Sequence, residues 1–163
     1  MSRIYYATME SPVGQLRLVA EEAGLRMVWF VRGRKNEKPQ AEWKEDAAFF
    51  ADVMRQLNAY FAGELREFEI PLLMEGTEFQ KRVWRALLTI PYGETMSYGE
   101  LAKKIGDPKA VRAVGAANGQ NPIPIIVPCH RVIGSDGSLT GFGGGLENKK
   151  KLLDLESRQR RLL

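Results

Sequence analysis

The chain has 163 residues, 44% of them hydrophobic and 27% charged, which is the composition of an ordinary globular protein with room for one large domain or two small ones. No run approaches the ~20 consecutive apolar residues of a membrane helix, and the opening Met1-Ser2-Arg3-Ile4-Tyr5-Tyr6 lacks a secretory apolar segment. No membrane partner and a cytoplasmic location are therefore expected. One cysteine and one histidine exclude an internal disulfide and the four-ligand cages of structural zinc, so no metal is expected, a carboxylate-assisted site being the minor alternative.

Ile4 to Met9, Leu16 to Ala20 and Leu25 to Val31 read as a three-stranded meander, broken by Ser11-Pro12-Val13-Gly14 and Glu21-Glu22-Ala23-Gly24. Residues 32–40 are charged and read as a loop. From about Ala41 to Tyr60 the apolar positions Phe49, Phe50, Val53, Leu57, Tyr60 and Phe61 recur at three- and four-residue steps. This predicts an amphipathic helix stopped by Gly63, with a short strand from Phe68 to Leu72 after it. Met74-Glu75-Gly76 marks a domain junction, giving domains 1–75 and 76–163.

The second half opens on helices. Thr77 with Gln80 and Ser97 with Glu100 are capping boxes, the first followed by a face of Phe79, Val83, Trp84 and Leu87. Gly106-Asp107-Pro108 is a turn whose proline suits the first position of a third helix running to about Asn118. Short helix, glycine turn, helix is the outline of a helix-turn-helix. The prolines of Asn121-Pro122-Ile123-Pro124-Ile125-Ile126-Val127-Pro128 forbid a central strand and predict an extended, rigid segment. Asp136-Gly137 between Val132-Ile133 and Ser138-Leu139 signals a hairpin. Gly141-Phe142-Gly143-Gly144-Gly145 reads as a loop, and a last helix spans about Leu146 to Glu156.

Residues 1–75 carry a net charge of −2 and residues 76–163 of +6, so a polyanion partner would meet the second half. The Arg158, Arg160, Arg161 end supplies half of that excess and is equally readable as a solvated tail. Cys129 sits in Pro128-Cys129-His130-Arg131. A thiol beside an imidazole can become a nucleophile, while a lone cysteine in an apolar run can equally be a small core residue. Glu156 lies three and four residues beyond Leu153 and Leu152, on the inward stripe that Leu146 also marks. There a carboxylate needs a partner, for which His130 is a candidate, unless the helix end meets water. In the third helix Ala110, Val111, Val114 and Ala117 form the apolar face. Lys109, Arg112, Gly115, Ala116 and Gly119 form a small, basic outer face able to approach a phosphate-lined groove.

Pro91-Tyr92-Gly93-Glu94, Ser97-Tyr98, Asp107-Pro108-Lys109-Ala110, Arg112-Ala113-Val114-Gly115, Asn121-Pro122 and Ile126-Val127-Pro128-Cys129-His130-Arg131-Val132 carry a specific resemblance. From Thr77 to Glu156 the chain resembles the catalytic domain of O6-alkylguanine-DNA alkyltransferases, and residues 1–75 resemble that family's N-terminal domain more weakly. The resemblance implies an α/β plus α fold, a ribonuclease-H-like α/β domain followed by a winged helix-turn-helix domain. It implies transfer of an alkyl group from O6-alkylguanine, and from O4-alkylthymine, in double-stranded DNA to Cys129, once per molecule, by a monomer and without a cofactor.

By the same resemblance His130 is the base acting through a water, Glu156 orients it, and Asn121 fixes the active-site turn. Arg112 enters the duplex from the minor groove and fills the gap of the flipped nucleotide. Tyr98 crowds the phosphate and reaches the guanine, the carbonyls of Cys129 and Val132 read the base, and Lys149 lies near the pocket. Ser97, Lys109, Ala113 and Gly115 complete the expected DNA-contacting set. Phe142 stands where many members carry tyrosine and Gly143 where some carry serine, so those hydroxyls are not available to the leaving guanine. A non-catalytic lesion sensor would replace the cysteine, a transcription factor would leave Pro-Cys-His-Arg unexplained, and a cysteine hydrolase has only the residue types in its favour.

Overall fold

The computed structural model describes residues 3–32 and 38–161, with backbone alone for 160 and 161, so part of the charged 32–40 segment lies outside the described residues. The chain divides into two compact units, residues 1–74 and 75–163. In the first unit β1 (Tyr5–Met9), β2 (Leu16–Glu21) and β3 (Gly24–Phe30) form the expected antiparallel meander. The alternating apolar residues Leu16 and Leu18 are fully buried on it.

The helix expected over 41–60 is shorter. Lys44–Glu45 form β4, parallel to Tyr5 and Tyr6 of β1, then comes a 3-10 turn at Ala48–Phe50, and α1 runs only from Ala51 to Phe61. The helical spacing begins at Phe49, and upstream of it Trp43 is buried beside the sheet rather than on a helix face. The strand expected over 68–72 reduces to one parallel bridge, Leu25 to Leu72, flanked by hydrogen bonds from Leu25 N to Pro71 O (2.8 Å) and from Leu73 N to Leu25 O (2.8 Å). Gly24 allows this approach, since a Cβ there would lie 2.9 Å from the Pro71 carbonyl oxygen.

The second unit begins with α2 (Glu78–Leu87), whose Thr77–Gln80 capping box is complete and whose Val83, Trp84 and Leu87 are buried. β5 (Met96–Ser97) leads into α3 (Tyr98–Lys104) through the Ser97–Glu100 capping box. α4 spans Val111–Gly119, starting three residues after Pro108. Residues 107–110 form a tight turn instead, closed by a hydrogen bond from Ala110 N to Asp107 O (3.0 Å), with Pro108 at the turn position its fixed φ suits. The buried Trp84 indole donates to Ala117 O at 2.8 Å, which ties α2 to α4. Of the apolar face expected on α4, Val114 and Ala117 are buried, whereas Val111 is exposed.

The proline-rich segment is buried but not extended. It turns on itself, with Ile125 at φ 75° and Val127 N donating to Ile123 O at 2.9 Å. Cys129–Arg131 then form a 3-10 turn. The Asp136-Gly137 turn forms, with Gly134 N donating to Ser138 O at 2.8 Å, but no two-stranded hairpin extends it. β6 (Val132–Ile133) pairs in parallel with β5. The last helix, α5, runs from Leu146 to Arg161, five residues past the expected end. Its Leu152 is buried while Leu146 is 50% exposed.

In the first unit the buried Gln56 side chain accepts from Glu69 N (2.8 Å) and donates to Glu69 O (3.1 Å), standing in for the missing strand pairing. Gln56→Ala should therefore lower stability by about 1–3 kcal/mol, read as a lower urea midpoint. An unchanged midpoint would mean that these bonds are replaced by water at no cost.

Candidate active site

Cys129 is the first residue of the 3-10 turn and is 5% exposed, held by its own N–H donating to Val127 O (2.8 Å). The turn is braced by Asn121, whose Nδ2 donates to Val127 O (2.8 Å) and whose Oδ1 accepts from Ile123 N (3.0 Å). Burial pushes the Cys129 thiol up to about 11, against a pull down from a side-chain hydrogen bond to Asn121 and from the charge of Lys149. At neutral pH the resting sulfur is a thiol, so a nucleophilic role requires a base.

His130 is fully buried, with Nε2 donating to Glu156 Oε2 at 2.7 Å. Its Nδ1 is buried and has no protein hydrogen-bond partner. With Nε2 as the donor, Nδ1 keeps its lone pair and can accept a proton. Burial lowers the basicity of the ring, Glu156 raises it, and the charges of Arg131 and Lys149 lower it again; the balance lies below the ordinary 6.5.

Glu156 comes from α5 and is 1% exposed. Besides His130, it accepts from Arg131 Nε (Oε1, 2.8 Å), Arg131 Nη2 (Oε2, 3.1 Å) and Gly93 N (Oε1, 3.1 Å). Gly93 sits at φ 80°, a left-handed conformation that costs a glycine little. Burial pushes the carboxyl up, but the hydrogen bonds and charges of His130 and then Arg131 prevail, holding it far below its usual 4.5.

Lys149, also buried, donates to Val132 O (2.6 Å) and Thr140 O (2.8 Å), and its ammonium lies 6.0 Å from the centre of the Tyr98 ring. Burial lowers its basicity and Cys129 opposes this. Tyr98 OH donates to the same Thr140 oxygen at 3.0 Å. The sequence-expected base readers are thus already engaged: Val132 O by Lys149, and Cys129 O by Val132 N and by Asn118 Nδ2 (3.4 Å).

Arg112, Ala113 and Lys109 are exposed on or beside α4, and Gly115 lies 3.8 Å from the Tyr98 ring by its would-be Cβ. Ser97 is committed to its capping box. Phe142 is half-buried and Gly143 exposed. Among the described residues no group of three or more His, Cys, Asp or Glu could hold a metal ion, and no helix is long and apolar enough to cross a membrane.

Two residues of the site escaped the sequence reading. Arg131 was visible as the cation adjoining His130, and a carboxylate placed on a buried stripe demands such a cation. Asn118 falls four residues beyond Val114 on the buried face of α4, which is the spacing that signals a polar side chain turned inward.

Because the folded-state carboxyl of Glu156 is depressed, its stabilising effect is full above about pH 4.5 and fades as pH falls below that value. Glu156→Gln should cost about 3–5 kcal/mol near neutrality, and denaturation midpoints of the two proteins should converge as the pH drops below about 4.5. A constant difference down to acid pH would show that packing, not charge, is what the substitution removes.

Residues 78–158 match the family described as 6-O-methylguanine DNA methyltransferase, DNA binding domain, and residues 4–74 match that family's ribonuclease-like domain. A methylated-DNA–protein-cysteine methyltransferase of Methanosarcina acetivorans is 58% identical over 94% of this chain and 98% of its own length. The protein of that description from Mycobacterium tuberculosis strain H37Rv is 55% identical over 94% of this chain and 92% of its own length. The crystal structure of Mycobacterium tuberculosis OGT in complex with DNA superposes with a TM-score of 0.88 at 53% identity, covering 95% of this chain and 94% of that one. The α/β unit followed by a winged helix-turn-helix unit is thus the fold of these proteins. The chain belongs to the 6-O-methylguanine DNA methyltransferase family, DNA-repair proteins that move an alkyl group from guanine to a protein cysteine.

Proposed function

We propose that this chain, a DNA-repair alkyltransferase by family, takes the alkyl group of O6-alkylguanine, and of O4-alkylthymine, onto Cys129 in a single irreversible step. What carries this is the buried His130, which adjoins the buried Cys129 in sequence, has an unbonded Nδ1 and holds Glu156 at 2.7 Å from Nε2. His130 removes the Sγ proton through a water, and Glu156 fixes the ring so that Nδ1 is the acceptor. The sulfur–carbon bond then forms as the carbon–oxygen bond breaks. The electron pair leaves with guanine, and the proton given up by the thiol balances the one that guanine takes up. Asn121 keeps the turn rigid, and Lys149 and the Tyr98 hydroxyl meet on Thr140 O, two residues before Phe142.

An oxygen inside the base stack is out of reach of a buried sulfur, so the nucleotide must be extruded. In this reading the exposed face of α4 enters the minor groove and Arg112 fills the vacated space. Ser97, Lys109, Ala113 and Gly115 then lie against the backbone. Residues 76–163 form the catalytic and DNA-binding domain, and residues 1–75 the ribonuclease-H-like one. A monomer suffices, no cofactor takes part, and the protein works in the cytoplasm wherever DNA is present.

A thioether offers no leaving group and no carbonyl for water to attack, so the acceptor is not regenerated. Product should rise to one equivalent of protein and stop, with one methylene added to the Cys129 peptide by mass spectrometry. Cys129→Ser should bind duplex and transfer nothing. Product beyond one equivalent of active protein would point to a hydrolase.

Arg112→Ala should slow repair of duplex on the order of tenfold or more, yet leave the rate with free benzylguanine, which needs no flipping, nearly unchanged. Equal losses on the two substrates would instead give Arg112 a role in folding.

A further inference from the structure

Gly93, His130 and Arg131 all donate hydrogen bonds to the Glu156 carboxylate, and these donors differ in charge. Gly93 N is neutral, His130 Nε2 belongs to a ring that can be neutral or cationic, and Arg131 brings two N–H groups that are always part of a cation. Arg131 is itself fixed: Nη1 donates to Ile90 O at 2.7 Å, its guanidinium lies 5.7 Å from the centre of the Tyr92 ring, and the residue is 6% exposed. The Ile90–Gly93 segment is therefore wrapped around the Arg131–Glu156 pair.

A buried carboxylate needs one full positive charge nearby. Two residues are placed to provide it, and only one of them can do so without losing its use as a base. We propose that Arg131 is a positioning residue that keeps His130 neutral: by supplying the charge that Glu156 requires, it lets the imidazole donate Nε2–H while Nδ1 stays unprotonated and able to accept the Cys129 proton. This rests on the alkyl-transfer reading above and adds to it the residue that sets the charge state of the base.

The groups around the ring agree with this assignment. Arg131 on the same turn and Lys149 from α5 are cations that oppose a third one at His130. Glu156 from α5 is the only carboxylate in contact with the ring among the described residues. Cys129 precedes it as a neutral thiol, Tyr92 from the turn after α2 stacks on Arg131, and Tyr98 from α3 meets Lys149. Remove Arg131, and the carboxylate loses the permanent cation among these donors, with Gly93 and His130 still bonded to it. The least costly relief is then protonation of the imidazole, which makes an ion pair with Glu156 and fills Nδ1.

His130 is the single histidine of the chain, so its ring nitrogens give unambiguous NMR signals. In the wild-type protein they should report a neutral ring protonated at Nε2 at neutral pH. Arg131→Met should convert the ring to imidazolium near pH 7, and Arg131→Lys, which restores the charge, should return it to the neutral form. Single-turnover transfer from a methylated duplex should fall in Arg131→Met by about tenfold for each unit that the new pKa stands above the working pH. That deficit relative to wild type should close as pH rises.

An imidazolium in the wild-type protein at neutral pH would overturn the proposal, as would a neutral ring in Arg131→Met with a rate loss independent of pH. Should Arg131→Met fail to fold, the wild-type and Arg131→Lys spectra decide alone: neutral rings in both support it, and an imidazolium in either refutes it. These spectra need no DNA. A failure of transfer to Cys129 itself, seen by mass spectrometry of the wild-type protein, is thus a separate result.

Discussion

A single negative charge buried near the end of α5 organises the catalytic unit. The Glu156 carboxylate lies out of reach of water, where an unsatisfied ion would cost several kcal/mol. It is tolerable only because His130, Arg131 and Gly93 converge on it from two other segments. The 3-10 turn that carries Cys129 cannot rotate without breaking the bonds of its next two residues to that carboxylate. The position of the sulfur is thus set by a charge that never touches it.

Around this centre the remaining polar groups divide into two layers. Asn121 and Asn118 hold the backbone on either side of Cys129, one through Val127 O and Ile123 N, the other through Cys129 O. Asn118 belongs to α4, the helix whose opposite face exposes Arg112, so the surface helix and the buried turn share a hydrogen bond. Lys149 and Tyr98 meet on one carbonyl, Thr140 O, and so pin the loop after β6 to both α3 and α5. The site is a rigid interior with a thin, small-residue exterior.

What the sequence disclosed was whatever depends on neighbours along the chain. The capping boxes at Thr77 and Ser97 need only residues three apart, and both form. The inward turn of Glu156 follows from helical spacing from Leu152, although Leu146 of the same stripe is exposed because it begins the helix. Long-range pairings were illegible. Lys44–Glu45 became a strand because β1 offers them an edge, and Val132–Ile133 joined Met96–Ser97 rather than closing a hairpin. The prolines excluded a strand, but they left open whether the segment would extend or fold back, and the left-handed Ile125 made it fold back. His130 and Glu156 pair as their positions suggested, whereas Arg131, lying beside the histidine, showed its part only once the carboxylate between them was located.

The burial that makes Cys129 a reluctant acid has a protective side. Peroxide and most soluble electrophiles attack thiolates, and a thiol held near a pKa of about 11 inside a packed turn presents almost none at neutral pH. This chain has no second cysteine to resolve a sulfenic acid or to replace a lost acceptor. In the single-turnover reaction proposed above, a sulfur that oxidants pass by is an advantage, and the same desolvation that demands a base keeps that sulfur unspent between lesions.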